Sequence, residues 1–278
     1  MAKDRVYEFS APGRVEIGGN HTDHQHGRVL AAAIDLTTNA SVCKNDDEVI
    51  RVFSQGYDPV EVYIHDLELH KTEKNTTVAL VRGVSAAFVQ RGCPIGGFDA
   101  RISSTVLPGS GLSSSASYAA IPEELHRVCG VFGKEYLRDV DEAEFYRRLP
   151  EVRAAAGDRA VLRAMHIFDD NRRVTEQTEA LRSGRFDSFL RLVNESGESS
   201  WKYLQNVISS GSSEHQEMAF AIALCKKLLN GLGAVRVHGG GFAGTVLAFV
   251  PNDKFDAFKA QLEGILGSGC CHRLRITG

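Results

Sequence analysis

The sequence predicts an α+β protein in two domains, and three observations carry that prediction. The first hundred residues are broken into short apolar or alternating runs separated by polar turns, the texture of strands. From Asp141 onward the texture changes to long amphipathic helices. The last third reads as helix, strand, strand, helix, strand. The change of texture places the domain boundary near residue 120, giving domains over 1–120 and 121–278.

The early strands are Val29 to Ile34, Ala40 to Cys43, Val49 to Phe53 and Val60 to Ile64, with turns such as Lys44-Asn-Asp-Asp between them. A helix follows over Thr76 to Gln90, where Val78, Leu80, Val81, Val84, Ala87 and Phe88 recur at helical spacing and Gly92 lies just past the end. Later helices run over Arg159 to Arg182, Arg185 to Val193 and Glu214 to Asn230. The closing pattern sets strands at Ala234 to His238 and Thr245 to Val250, a helix at Asp253 to Leu266 and a strand at Cys271 to Ile276. In that helix Phe255, Phe258, Leu262, Ile265 and Leu266 form one apolar stripe, a face for packing on the sheet.

Composition narrows the function classes. With 278 residues, 43% hydrophobic and 24% charged, the chain is long enough to bury a core. A net charge of −3, without a like-charge run, argues against a nucleic-acid-coating surface. Charges occupy the N-terminus where a signal peptide needs an apolar stretch, and the longest apolar runs, Val29 to Ile34 and Met218 to Cys225, are too short to span a bilayer. Six cysteines without C-x-x-C spacing read as reduced thiols. The expectation is a cytoplasmic protein with small-molecule ligands, no nucleic acid and no membrane.

Three polar or glycine-rich segments are candidates for chemistry. Leu107 to Ser117 sets Gly109 and Gly111 among serines ahead of a helical run. Backbone N–H groups at such a bend converge on an anion, and hydroxyls add phosphate or Mg²⁺ contacts. A plain Ser/Gly linker has the same composition. Gly239 to Gly244 satisfies G-x-G-x-x-G but lies between two strands, whereas a dinucleotide fingerprint opens a helix. What remains is a tight turn with a closely approachable backbone, or a hairpin without a ligand. Ser10 to Gly27 offers Arg14 for phosphate charge, and Asn20, His21 and Asp23 as partners for a hydroxylated ligand. His21, His24 and His26 with Asp23 match none of the usual zinc spacings.

Taken together and in this order, the segments resemble the galactokinase branch of the superfamily of galactokinase, homoserine kinase, mevalonate kinase and phosphomevalonate kinase. Ala11-Pro-Gly-Arg-Val through His21-Thr-Asp23 is similar to the galactokinase signature. Pro108 to Ser117 is similar to the superfamily's ATP-phosphate loop, and Gly239 to Gly244 to its third glycine motif. Leu137-Arg-Asp-Val, Arg163-Ala-Met-His and Asp170-Asn-Arg-Arg-Val also resemble galactokinase segments.

The resemblance implies an S5-like N-terminal domain that binds sugar and ATP phosphates, and a ferredoxin-like C-terminal domain. It implies transfer of a phosphoryl group from ATP to galactose, giving galactose 1-phosphate, with Mg²⁺. Arg14 takes the active-site arginine position. Asn20, His21, Asp23 and Tyr118 take sugar-binding positions, Asn20 standing where the family has a glutamate that contacts the primary hydroxyl. Pro108, Gly109, Ser110, Gly111, Leu112, Ser113, Ser114 and Ser115 form the phosphate loop, with Ser114 or Ser115 near Mg²⁺. Gly239, Gly240, Gly241 and Gly244 complete the cofactor-binding set.

One departure follows Ser117. The family continues there into a long stretch with a glutamate that helps hold Mg²⁺ and a Met-Asp-Gln segment whose Asp is catalytic. Here the chain passes directly to Tyr118-Ala-Ala-Ile-Pro122, and no Met-Asp-Gln occurs. On the order of a hundred residues are absent relative to the family, so the N-terminal domain is incomplete and apolar surface is left without partners. Two functional readings result: a galactokinase lacking its catalytic carboxylate, and an inactive galactose- and ATP-binding sensor or remnant.

Overall fold

A computed structural model describes residues 5–106, 115–209, 211–241 and 245–277, with side chains through 106 and from 120 onward in those ranges. The chain divides into two compact units, Met1–Gly13 with Ile34–Leu107, and Arg14–Ala33 with Pro108–Gly278. This grouping differs from a cut at residue 120 in two places, since residues 108–120 and residues 14–33 both belong to the second unit. The segment after Gly13 leaves the first unit, because the partners of residues 16–25 lie beyond residue 125.

The first unit is built on strands β1 (Val6–Gly18), β2 (Leu30–Lys44), β3 (Val49–Ser54), β4 (Val60–Tyr63) and β5 (Phe98–Ser104), in sheet order β1-β2-β5-β3-β4. β1 and β2 run on into the second unit. β2 pairs antiparallel with β5, Thr38 opposite Ser104, and β3 pairs antiparallel with β4. β3 and β5 are parallel, Ile50 opposite Phe98, so the chain between them must cross over. It does so through β4 and helix α1 (Thr77–Gln90).

Helix α1 starts where the spacing places it, with the Thr76 hydroxyl accepting the Ala79 N–H at 3.2 Å as an N-cap. Val78 and Val81 pack on Ile50, Val52, Val62 and Ala100. Its polarity is otherwise inverted. Arg82 is buried, bidentate to Glu73 at 2.8 Å twice, while Leu80, Val84 and Phe88 are 65%, 49% and 52% exposed. These three recur every fourth residue, so one apolar stripe of α1 faces water.

The second unit is mainly helical: α2 (Ser115–Val131), α3 (Glu142–Arg147), α4 (Leu149–Ala156), α5 (Asp158–Arg182), α6 (Phe186–Ser199), α7 (Glu217–Leu229) and α8 (Phe255–Leu266). One core joins α2, α3, α4 and α5 through Leu125, Phe145, Val152, Ala164 and Ile167. A second lies under the antiparallel pair β6 (Ala234–His238) and β7 (Thr245–Phe249), where Val235 and Val237 meet Ile222 of α7 and Phe258 and Leu262 of α8. No described helix is long and apolar enough to cross a membrane.

Several elements differ from the sequence reading. The runs at 29–34 and 40–43 belong to one strand, β2, because the residues between them stay extended and Thr38 and Asn39, though polar, pair with β5. β1 and β5 are additional strands. The closing strand at 271–276 is not formed, and only Ile276–Thr277 is extended in a ladder. Side chains hold that segment instead: Arg273 lies over the Phe255 ring at 4.8 Å and donates to Asn252 at 2.9 Å.

Candidate functional site

The candidate site lies in the second unit and grows from the end of β1. A Cβ at Gly18 would lie 2.0 Å from Gln177 Oε1 of α5, so any side chain there would have to displace that buried amide. Gly19 turns the chain at φ +90°, where a Cβ would meet the Arg28 carbonyl at 2.3 Å. Residues 20–22 follow, then one 3-10 turn over Asp23–Gln25. The Thr22 hydroxyl closes the bend, lying 2.8 Å from Gly19 O and 2.6 Å from Arg28 O.

Asn20 is fully buried, and its hydrogen-bonding groups are all engaged by protein. Its backbone N–H donates to Asp170 Oδ2 at 2.8 Å and its carbonyl accepts from His166 Nε2 at 3.0 Å. The side-chain amide donates to Gly239 O at 2.7 Å and to Glu16 Oε1 at 3.2 Å. Its oxygen accepts from Asn206 at 2.8 Å and Ser200 at 3.3 Å. His21 is also spent on protein, with Nε2 at 3.0 Å from Gly240 O and Nδ1 at 3.0 Å from His24 Nε2. Asp23 is different: it is exposed, and its carboxylate makes no hydrogen bond or ion pair among the described residues. Arg14 is likewise exposed, and its guanidinium makes no hydrogen bond or ion pair among the described residues.

Behind this turn lies a layer of polar groups. His166 accepts the Ser199 hydroxyl at Nδ1, 2.9 Å, while Asp170 accepts from Ser196 at 3.2 Å and Arg173 at 3.0 Å. Burial holds His166 neutral, its pKa pushed below the ordinary value. Burial opposes the Asp170 carboxylate, but Arg236, Arg173 and the Asn20 N–H outweigh it and keep the group ionised. Arg236, fully buried in β6, donates to Ile17 O at 2.7 Å, Val237 O at 2.9 Å and Glu16 Oε1 at 2.8 Å. Burial raises the Glu16 pKa, with Arg236 and Asn20 pulling it back.

The glycine turn after β6 packs on the same layer. Gly239 and Gly240 supply carbonyls to Asn20 and His21. Gly241 has φ +79°, and a Cβ there would lie 2.1 Å from the Asn206 backbone oxygen. The room its missing side chain leaves is therefore filled by protein. Gly241→Ala is expected to cost on the order of 2–3 kcal/mol, from the strained backbone and the displaced Asn206. Gly264→Ala in α8 meets nothing within 4 Å and should stabilise by up to about 1 kcal/mol. Urea denaturation midpoints of the two variants, moving in opposite directions, check both.

The structure thus brings Asn20, His21 and Gly239 to Gly241 together and leaves Asp23 and Arg14 outward. Pro108, Gly109, Ser110, Gly111, Leu112, Ser113, Ser114 and Gly244 lie outside the described residues, as do the side chains of Ser115 and Tyr118. Glu16, His166, Asp170, Ser199, Asn206 and Arg236 went unassigned in the sequence. A signal existed for two of them. His166 and Asp170 share the face of α5 that carries Ala160, Ile167 and Val174, so polar groups interrupt a stripe that should be apolar.

Known proteins set this geometry in a wider frame. The galactokinase galactose-binding signature matches residues 2–44. A galactokinase of Glaesserella parasuis is 24% identical, the alignment covering 90% of this chain and 86% of the relative. That alignment runs over 344 positions, more than the whole 278 residues of this chain, so long gaps face the relative's sequence. Lactococcus lactis galactokinase, solved in complex with galactose, superposes with a TM-score of 0.80 at 16% identity, covering 99% of this chain and 93% of the other. Streptococcus pneumoniae phosphomevalonate kinase, in complex with phosphomevalonate and AMPPNP, gives 0.57 at 12% identity, covering 97% and 98%. The chain has the mixed α+β fold of these kinases and resembles galactokinases along nearly its whole length.

Proposed function

We propose that this galactokinase-like chain binds galactose at the turn bearing Asp23 and ATP at the loop of residues 107–115, and that it lacks the carboxylate for efficient phosphoryl transfer between them. The observation that carries the reading is the contrast within one turn. Asn20 and His21 are spent on protein, and Asp23 presents an exposed carboxylate from the rigid bend they create. A carboxylate accepts hydrogen bonds from ring hydroxyls, and its charge strengthens them. Exposed Arg14, a few residues earlier, supplies positive charge for phosphate oxygens. In this reading Ser114 or Ser115 holds Mg²⁺, which neutralises phosphate charge when bound. Asn20 and His21 act here by shaping the turn rather than by touching the sugar.

Phosphoryl transfer depends on positioning and charge neutralisation, with an acidic group orienting the attacking hydroxyl. The Met-Asp-Gln segment that supplies this group in galactokinases is absent, and Asp23 is committed to binding. That absence favours the second reading, a galactose- and ATP-binding sensor without turnover.

Calorimetry with galactose and ATP titrated separately tests both. Binding of galactose without sugar phosphate production under excess Mg-ATP fits the sensor, and rapid turnover removes it. Asp23→Ala is expected to weaken galactose binding by roughly 1.5–3 kcal/mol. The denaturation midpoint should stay put, since the carboxylate makes no hydrogen bond or ion pair among the described residues. Inserting a family segment between Ser117 and Tyr118 should raise turnover in the parent far more than in Asp23→Ala, because a restored base needs a positioned hydroxyl. Equal gains in both would place Asp23 outside the sugar site.

A further inference from the structure

Gln25, His24, His21 and Gly240 form a chain of hydrogen bonds with one permitted direction. The Gly240 carbonyl only accepts, so His21 donates to it through Nε2–H at 3.0 Å. A neutral imidazole with its proton on Nε2 has a lone pair on Nδ1, and His24 Nε2–H donates to that lone pair at 3.0 Å. His24 Nδ1 then accepts the Gln25 amide N–H at 3.3 Å, while Gln25 Oε1 takes the Leu137 N–H at 3.0 Å. An added proton on either ring turns an acceptor into a donor that faces another donor.

We propose that His24 is a positioning residue: through His21 it fastens the turn bearing Asp23 to the Gly240 carbonyl, and acidification unfastens that turn. Asp23 lies between the two rings in sequence, so the direction of its carboxylate follows the clamp. The consequence for ligand binding rests on the reading of Asp23 as the sugar contact.

The titratable and charged groups that act on the pair are Asp23 on the turn itself and His166 on α5, and behind His166 and Asn20 lie Glu16 on β1, Asp170 and Arg173 on α5, and Arg236 on β6. Burial dominates among these influences. It pushes His21 down to about 4 and holds His24 below its ordinary value. The unfolded chain therefore takes up protons first as pH falls below the ordinary 6.5. The clamp is closed above that value and its stabilisation is lost toward about 4.

The test follows imidazole ¹⁵N shifts of the full chain against pH, with galactose titrated calorimetrically into the same samples. The parent should hold His21 in a single Nε2–H form well below the ordinary histidine range, with galactose affinity falling as that form is lost. His24→Gln, whose amide N–H can reach the same lone pair, should preserve the His21 form and stay within about twofold in affinity. His24→Leu should let His21 exchange tautomers and weaken galactose about tenfold at pH 7. If His24→Leu does not fold, His24→Asn, with its shorter reach, replaces it. A parent His21 that titrates near 6.5, or a His24→Leu chain matching the parent in both readouts, overturns the clamp. A parent that binds no galactose removes the sugar reading alone. The ¹⁵N result then decides the clamp: a single tautomer upholds it and a titrating ring overturns it.

Discussion

Arg236→Met is expected to destabilise the second unit by about 3–5 kcal/mol, because it strips a buried carboxylate of its cation. The guanidinium is fully buried and spends its donors on Ile17 O, Val237 O and Glu16. Methionine fills similar volume but donates nothing, so two carbonyls lose partners and Glu16 keeps only the Asn20 amide. With a typical domain stable by only about 5–15 kcal/mol, such a loss brings the chain near unfolding at room temperature. The effect should depend on pH in a defined sense. Glu16 already sits above its ordinary carboxylate value through burial, and Arg236 is the main influence holding it down. Without Arg236 the folded state favours the protonated acid more strongly, so the deficit against the parent narrows as pH falls toward the Glu16 value. Urea denaturation at pH 7 and pH 5.5 measures this. Arg236→Met combined with Glu16→Gln should recover a large part of the loss. No recovery would mean the carbonyl contacts carry the energy and the ion pair little.

Asn20→Ala is the second large effect, also about 3–5 kcal/mol, and it separates a structural role from a recognition role. Removing the amide leaves Gly239 O, Asn206 and Ser200 facing an empty space in a buried region. The resemblance to galactokinases implies that this position reads a sugar's primary hydroxyl, yet every atom of Asn20 that could read it is engaged. At a temperature where the variant stays folded, its preference for galactose over 6-deoxygalactose should equal the parent's. A preference that collapses in Asn20→Ala would return the residue to the sugar site.

The sequence carries much of the fold because the fold is largely periodic. Helix α1 begins at its Thr76 cap and α5 follows its apolar stripe, since both signals lie within a few turns. β1 is harder to read, as Pro12, Gly13 and Gly18 interrupt its alternation and charged residues fill the gaps. β2 looked like two strands because its polar middle is paired but only half-buried. In the site, motif spacing singled out two segments that the structure brings together, around Asn20 and at Gly239 to Gly241, and could not assign the individual side chains their partners. Asn20 and His21 are polar residues on a short turn, which locally suggests a ligand. Their burial is decided by Asp170, Asn206 and Gly240, contributed by elements 150 to 219 residues further along. No window of sequence contains that information.

The same spacing governs the order in which the protein can be assembled. Glu16 and Arg236 are 220 residues apart, and Asn20 and Gly239 are 219 apart, so the turn acquires its partners only when nearly all of the chain has left the ribosome. Residues 34–107 have their sheet and α1 available much earlier. Synthesis would therefore release a folded early unit whose turn, residues 19–29, must wait for its partners among the later helices and strands. Loop closure over such separations is slow, and the polar layer around Asn20 is expected to be the last part of the molecule to gain amide-exchange protection during refolding.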